Sequence, residues 1–141
     1  MIVLDTNVIS ALMRTPVDPP VKAWLATLSG ELMIVSTVSI VEISYGLARL
    51  PVGKRRQRLA QLFEEMLTPE KGLAIRALEE VSARRAGAFM ALREARGRPV
   101  SDADMMIAGI AAANSAALAT RNVRDYDGLG LSLLDPWNEA A

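Results

Sequence analysis

Short apolar runs alternate along the chain with longer segments in which apolar residues recur at helical spacing. The short runs are typical of buried strands, and the longer periodic segments are typical of amphipathic helices. We predict strands at residues 1–5, 32–35, 73–75, 117–119 and 131–134. We predict helices at 6–14, 21–28, 38–50, 54–67, 77–96 and 101–114, and a polar loop at 120–130. Because strands and helices alternate, the predicted fold is α/β, with a parallel sheet covered by helices on both faces.

Length and charge place the chain among small one-domain proteins. Its 141 residues are enough for one hydrophobic core, so we treat residues 1–141 as a single domain. The 16 basic and 16 acidic residues balance, so any affinity for nucleic acid must come from a local patch. There is no apolar run long enough to span a bilayer and no secretory signal, so we expect a cytoplasmic protein without membrane association.

The chain contains no cysteine and no histidine. Without cysteine there can be no disulfide, no thiolate nucleophile and no cysteine-ligated zinc or iron–sulfur site. Without histidine there can be no Ser-His-Asp relay, no histidine-ligated zinc and no histidine acid–base pair. Any enzymatic chemistry must therefore come from carboxylates, hydroxyl groups, lysine or arginine.

Three acidic residues stand close to the start of a predicted helix. Asp5 follows the first strand, Glu42 comes a few residues after the second strand, and Asp104 lies in the first turn of the last helix. Glu42 is the only charge in a nearly apolar stretch, so we expect its helix to be buried on most sides. Asp104 shares a helical face with Ile107 and Ala108, and should point towards the core.

Each acid also has a structural explanation. Asp5 is a good helix N-cap, and Ser39-x-x-Glu42 and Ser101-x-x-Asp104 both match a capping box. The functional alternative is that the acids converge at the edge where the parallel strands end. Clustered carboxylates repel one another and normally persist only with a cation present. A donor set made of oxygen alone favours Mg²⁺ or Mn²⁺ over zinc.

Several short motifs extend, in order, over essentially the whole chain. They are Asp5-Thr6-Asn7 within residues 1–8, Glu42 within 39–47, Gly97-Arg98-Pro99 followed by Asp104 within 104–108, Ala119-Thr120-Arg121-Asn122, and Asp125-Tyr126 followed by Pro136-Trp137. In this order and spacing they resemble the PIN-domain family, and more specifically the VapC/FitB-type toxins of bacterial type II toxin–antitoxin pairs. The resemblance implies a three-layer α/β/α sandwich with a central parallel sheet of about five strands.

The resemblance also implies an activity and a set of partners. It implies an endoribonuclease that uses Mg²⁺, for which Mn²⁺ can substitute, and that cuts the phosphodiester bonds of RNA. It further implies a homodimer and inhibition by a cognate antitoxin protein. By matching position, Asp5, Glu42 and Asp104 take the catalytic, metal-binding carboxylate roles.

Further residues match the family less completely. The family often has a fourth acid after the strand that ends near Thr120, where this chain has Asn122, with Asp125 a short step further on. Either side chain is a candidate to complete the catalytic site. Thr6 and Ser39 match the family's supporting hydroxyl groups, whose expected role is to orient the metal ligands.

Two basic runs are candidate contacts for RNA phosphates. One lies at 54–58, and the other extends from Arg84 to Arg98. We expect the first run to be a solvated helix face paired with glutamates. Arg98 lies next to the helix of Asp104 and is the better candidate for substrate binding.

Two other functions compete with the nuclease. An aspartate-based phosphatase of the haloacid dehalogenase type has an aspartate after the first strand, but it needs a second aspartate where this chain has Asn7. A catalytically inactive PIN-like binding module would explain why Asn122 stands in place of an acid. The three principal acids favour the nuclease over both.

Overall fold

The computed structural model describes residues 1–138, so positions 139–141 of the predicted single domain lie outside the described part. The strands are β1 (Ile2–Leu4), β2 (Met33–Ser36), β3 (Leu73–Arg76), β4 (Ala117–Ala119) and β5 (Leu133–Leu134). The helices are α1 (Thr6–Leu12), α2 (Pro19–Ala26), α3 (Thr37–Arg49), α4 (Lys54–Met66), α5 (Glu80–Ala95) and α6 (Asp102–Ala113). Single 3-10 turns form at Pro69–Lys71 and Val123–Tyr126.

The strands form one parallel sheet in the order β3-β2-β1-β4-β5. At its centre, Val3 pairs with Ile34 on one side and with Leu118 on the other. A parallel neighbour requires a crossover connection, and a pair of helices supplies it between β1 and β2, β2 and β3, and β3 and β4. The predicted α/β fold with a central parallel sheet is therefore confirmed.

Both faces of the sheet are buried by helices. Successive side chains of a strand point to opposite faces, so Val3 packs into a core with Phe89 of α5 and Met105 of α6. Ile2 and Leu4 pack into a second core with residues of α1 to α4. This two-sided burial explains why β1 is an uninterrupted apolar run rather than an alternating one, and it confirms the three-layer arrangement.

The helix that carries Asp104 is held tightly against α5. A Cβ atom at Gly109 of α6 would collide with the backbone of Ser82 and would lie 2.9 Å from the backbone nitrogen of Ala86. Only glycine allows the two helices to approach this closely. The close packing fixes the position of α6 relative to the sheet, and with it the first turn, where Asp104 lies.

Several element boundaries differ from the sequence prediction. Helix α2 begins at Pro19 rather than at 21, because proline is compatible with a first helical turn. Helix α5 begins at Glu80 rather than 77, since the Glu79 backbone N–H donates to Ser82 Oγ at 2.7 Å and so caps the helix. The predicted polar loop contains the 3-10 turn, and β5 is shorter than predicted.

The prediction that α3 would be buried on most sides is wrong. Ser39 and Ile43 are buried, but Val41 and Tyr45 on another face are 68% and 62% exposed. An apolar stretch does not imply burial all round, because much of a folded protein's surface is apolar.

None of the helices within residues 1–138 is long and apolar enough to cross a membrane.

Candidate active site

Polar side chains gather at the edge of the sheet where the central strands end. Asp5 follows β1 directly and caps α1, and Thr120 follows β4 directly. Ser36 ends β2 and caps α3. Because β1, β2 and β4 are parallel neighbours, their carboxyl ends meet at one edge, which is where α/β sheets bind ligands.

Asp5 is buried and held by two hydrogen bonds. The residue is 4% exposed, and its Oδ1 accepts a hydrogen bond from the Thr6 backbone N–H at 2.8 Å. Its Oδ2 accepts a hydrogen bond from the Thr120 hydroxyl at 2.7 Å, and that hydroxyl accepts one from the Asn122 backbone N–H at 3.0 Å. Asp5 therefore does cap α1, but capping does not explain why its carboxylate is buried.

The electrostatics of the edge disfavour a charged Asp5. Burial, and then the nearby charge of Asp104, raise its pKa to about 6, although the Thr120 hydrogen bond acts in the other direction. Burial also raises the pKa of Asp104, and the charges of Asp125 and Glu42 add to that effect. These carboxylates are therefore close enough to repel one another, which costs free energy when no cation is present.

Asp104 lies in the first turn of α6, half-buried, with the exposed Asp102 beside it. The Asp104 backbone N–H donates to Ser101 Oγ at 3.2 Å, which is half of a capping box. In the described part of the chain, no hydrogen bond returns from the Ser101 backbone N–H to the carboxylate. Capping thus accounts for Ser101 but not for the side chain of Asp104.

Glu42 reaches the site through hydroxyl groups. Its Oε1 accepts a hydrogen bond from the Thr6 hydroxyl at 2.7 Å, and Thr6 Oγ1 lies 2.8 Å from Ser39 Oγ. The Ser39 backbone N–H donates to Ser36 Oγ at 3.0 Å, so Ser36 is the cap of α3. The capping-box alternative for Ser39 and Glu42 is therefore wrong, because the helix already begins before Ser39.

The predicted carboxylates do not form a compact three-ligand cluster. Within residues 1–138, no three acidic side chains converge closely enough for a ready-made metal cage. The charge of Asp104 raises the pKa of Asp5, and the charge of Glu42 raises the pKa of Asp104. Glu42 is also hydrogen-bonded to Thr6, the residue next to Asp5. Asn122 is exposed and opens the 3-10 turn, and Asp125 within that turn is half-buried.

The donor set still fits a magnesium ion. Mg²⁺ is commonly held by one or two carboxylates and keeps several waters, so it does not need an all-protein cage. Asp5 and Asp104 supply two oxygen donors whose mutual repulsion a cation would relieve. The chain has no thiolate and no imidazole donor, and the acids at this edge offer oxygen, which matches hard cations.

Two residues of the site were missed by sequence reasoning. Thr120 holds Asp5, and its position directly after a strand, equivalent to that of Asp5 itself, could have identified it. Tyr126 is 1% exposed, and its hydroxyl bears on the pKa of both Asp5 and Asp104. The motif Asp125-Tyr126 includes it but gives it no role, because an aromatic residue in such a place is usually a core residue.

Arginine side chains line grooves on both sides of the acidic edge. A groove of about 550 Å³ contains Thr6 and Glu42 of the site and is lined by Arg14, Arg55 and Arg58. The first basic run was expected to pair with glutamates, but the ion pairs found within residues 1–138 do not involve it.

A second groove, of about 490 Å³, contains three of the predicted site residues. Arg98, Asn122 and Asp125 all line it, together with Arg121 and Arg124. In the sheet, β1 lies between β2 and β4, so Asp5 at the end of β1 lies between the elements that form the two grooves.

Comparison with known proteins agrees with the fold. The family model "PIN domain" matches residues 2–127. The VapC ribonuclease of Sinorhizobium fredii is 33% identical over 140 residues, which cover 99% of this chain and 100% of that protein. The toxin FitB of Neisseria gonorrhoeae is 30% identical over 139 residues, with 99% and 100% covered. The chain therefore belongs to the PIN-domain family.

A solved structure resembles this one closely. The crystal structure of FitAcB from Neisseria gonorrhoeae superposes with a TM-score of 0.83 and 28% sequence identity. The superposition covers 98% of this chain and 99% of the other. The order of strands and the placement of helices are thus those of a PIN domain of the VapC/FitB kind.

Proposed function

We propose that the protein is a Mg²⁺-dependent endoribonuclease and the toxin of a type II toxin–antitoxin pair. The observation that carries the proposal is the pair of carboxylates, Asp5 and Asp104, at the carboxyl edge of the central strands, where burial raises both pKa values. Maintaining two repelling acids costs stability, and such a cost is typical of functional sites. The similarity to a VapC ribonuclease and to the toxin FitB supports the choice of activity.

Asp5 and Asp104 would hold the cation, with Mn²⁺ able to replace Mg²⁺. When bound, the cation would neutralise the carboxylates, activate water and stabilise the charge that develops on the phosphodiester. Thr120 orients Asp5 and Thr6 orients Glu42 through the hydrogen bonds described above. Asn122 and Asp125 line the second groove, and either is a candidate to contact the substrate there.

Glu42 is our candidate for the group that accepts the proton of the attacking water. The Thr6 hydroxyl occupies its Oε1, and no hydrogen bond to its Oε2 is found in the described residues. A carboxylate oriented in this way can act as a general base within hydrogen-bond reach of a water. The hydroxyl groups of Ser39 and Thr6 thus serve to aim Glu42 rather than to cap a helix.

The two grooves suggest a path for the RNA strand. Arg55 and Arg58 would contact phosphates on the Glu42 side, and Arg98 and Arg121 would do so beyond Asn122. Such contacts depend on local charge, so they are compatible with a net charge of zero. The first basic run, which the sequence disfavoured as a substrate contact, is therefore restored as a candidate.

Partners follow from the same family membership. We propose that a cognate antitoxin protein inhibits the enzyme, that two copies form a homodimer and that the protein acts in the cytoplasm. The dimer is consistent with the large apolar side chains that remain exposed on α3, β3 and α5, namely Val41, Ile75 and Val81. Surfaces of this kind often mark protein interfaces.

The phosphatase is disfavoured by the surroundings of Asn7. Its Oδ1 accepts a hydrogen bond from the Arg121 backbone N–H at 3.4 Å, so it joins the start of α1 to the loop after β4 instead of presenting an acid. The inactive binding module is the remaining rival, since the exposed Asn122 stands where an acid is often found.

The test is cleavage by purified protein that is free of antitoxin. A mixed RNA pool, the corresponding single-stranded DNA and a phosphomonoester are each incubated with Mg²⁺, with Mn²⁺ or with EDTA. We expect RNA alone to be cut, and only with a cation. Hydrolysis of the monoester would favour the phosphatase, and a folded protein that cuts nothing would favour the binding module.

A further inference from the structure

The side chain of Tyr126 presents an unexplained polar group in the interior. Tyr126 ends the 3-10 turn Val123–Tyr126, which packs on α6, and it is 1% exposed. Its hydroxyl is buried and has no hydrogen-bond partner in the described part of the chain. Buried hydroxyl groups are nearly always paired, so an unpaired one requires a reason.

The groups around this hydroxyl are the carboxylates of Asp5 and Asp104. The hydroxyl lies beside both, and it favours their charged forms, although it completes a hydrogen bond with neither. An ordinary phenol is protonated at neutral pH, and an ionised carboxylate can only accept, so Tyr126 is the donor towards either acid. The Tyr126 hydroxyl is therefore a buried hydrogen-bond donor next to the acidic site.

The two carboxylates differ in how they are held. Asp5 already accepts hydrogen bonds on both oxygens, from Thr6 and Thr120. The neighbouring hydroxyl groups of Asp104 are those of Ser101, which is exposed, and Tyr126, which is buried. Asp104 is thus the acid whose orientation depends most on Tyr126.

We propose that Tyr126 is a positioning residue of the cation site, whose hydroxyl orients the Asp104 carboxylate from the interior and gains its hydrogen bond when a divalent cation is bound. The inference rests on the proposed function, because it needs a cation between Asp5 and Asp104. A carboxylate oxygen has two lone pairs, so a donor on the inner side leaves the outer one for the cation. Groups that orient ligands in this way typically affect metal affinity by about 10-fold to 100-fold.

The test is Tyr126→Phe, which removes one oxygen atom and keeps the packing. The chain has only two tyrosines, and the exposed Tyr45 provides the matched control Tyr45→Phe. Binding of Mg²⁺ to metal-free protein is measured by calorimetry, and binding of Mn²⁺ by electron paramagnetic resonance. We expect about 10-fold weaker binding of both ions in Tyr126→Phe and unchanged binding in Tyr45→Phe.

Thermal melting separates positioning from packing. Without metal, the hydroxyl has no completed hydrogen bond to lose, so Tyr126→Phe should melt close to the wild-type temperature. Mg²⁺ should raise the melting temperature of the wild type by more than it raises that of Tyr126→Phe. A metal-free variant that melts well below the wild type would overturn the inference, since weaker binding would then reflect damaged packing.

A spectroscopic signal tests the contact itself. In Tyr45→Phe, Tyr126 is the only tyrosine, so a ¹³Cζ label reports on its hydroxyl alone. Addition of Mg²⁺ should shift this resonance, and Asp104→Asn should abolish the shift. An unshifted resonance, or Mg²⁺ affinity in Tyr126→Phe within about twofold of the wild type, would refute the role of Tyr126. A wild type that binds no divalent cation would instead refute the proposed metal site and the inference with it.

Discussion

The burial of Asp5 predicts that removing its charge stabilises the metal-free protein. Its pKa rises from 3.8 to about 6 on folding, chiefly because of burial and then because of Asp104. A folded-state pKa above the unfolded value means that folding favours the protonated form. The ionised form therefore costs stability, a cost that is absent below about pH 4 and complete above about pH 6.

The size of the effect follows from the pKa. The difference corresponds to about 3 kcal/mol at neutral pH, since each tenfold change in proton affinity is worth about 1.4 kcal/mol. In Asp5→Asn the amide keeps the Thr6 contact but disturbs the bond from Thr120, at a cost of about 1 kcal/mol. We therefore expect Asp5→Asn to be more stable than the wild type by about 2 kcal/mol at neutral pH.

The assay is urea unfolding in EDTA at a series of pH values, with the exposed Asp102→Asn as control. The advantage of Asp5→Asn should shrink as the pH falls from about 7 to about 4, while Asp102→Asn stays close to the wild type throughout. With Mg²⁺ at about 100 times its Kd, the wild type should gain about 2.7 kcal/mol and the variant less. The reasoning fails if Asp5→Asn is the less stable protein in EDTA, or if its advantage does not change with pH.

Two further predictions concern turnover. Thr6→Val removes the hydroxyl that orients Glu42 and should lower kcat about 10-fold with KM little changed. The control Thr68→Val, at an exposed position, should leave both constants unchanged. Equal kcat values in Thr6→Val and the wild type would contradict this role of Thr6. Replacing Arg55 and Arg58 together by alanine should raise KM for RNA and weaken the dependence of RNA affinity on salt. The slope of log affinity against log salt concentration should fall by about 0.7 for each phosphate that is no longer neutralised. A slope equal to that of Arg84→Ala would exclude the two arginines as phosphate-binding residues.

The layered architecture is predictable because burial leaves a local record. An apolar run such as Ile2-Val3-Leu4 requires cover on both faces, and the alternation of strands with helices requires parallel pairing. The order of the strands in the sheet is not predictable in this way, because the pairing of β1 with both β2 and β4 depends on contacts between distant segments. No pattern within a single segment records it.

The site was predictable only in part, for the same reason. Asp5 and Asp104 are marked by their places at a strand end and a helix start. The contribution of Thr120 and Tyr126 arises only when β4 pairs with β1 and the turn after β4 packs on α6. The exposed face of α3 was misjudged because apolar composition does not reveal which side of a helix remains uncovered.

The first measurement to make is RNA cleavage by Asp104→Asn beside Asp102→Asn. The two substitutions remove the same charge from the same turn of α6, but only Asp104 is half-buried at the acidic edge. We predict that Asp104→Asn folds, binds Mg²⁺ weakly and loses RNA cleavage, while Asp102→Asn cuts at the wild-type rate. Equal cleavage by the two variants would contradict the assignment of this edge as the catalytic site.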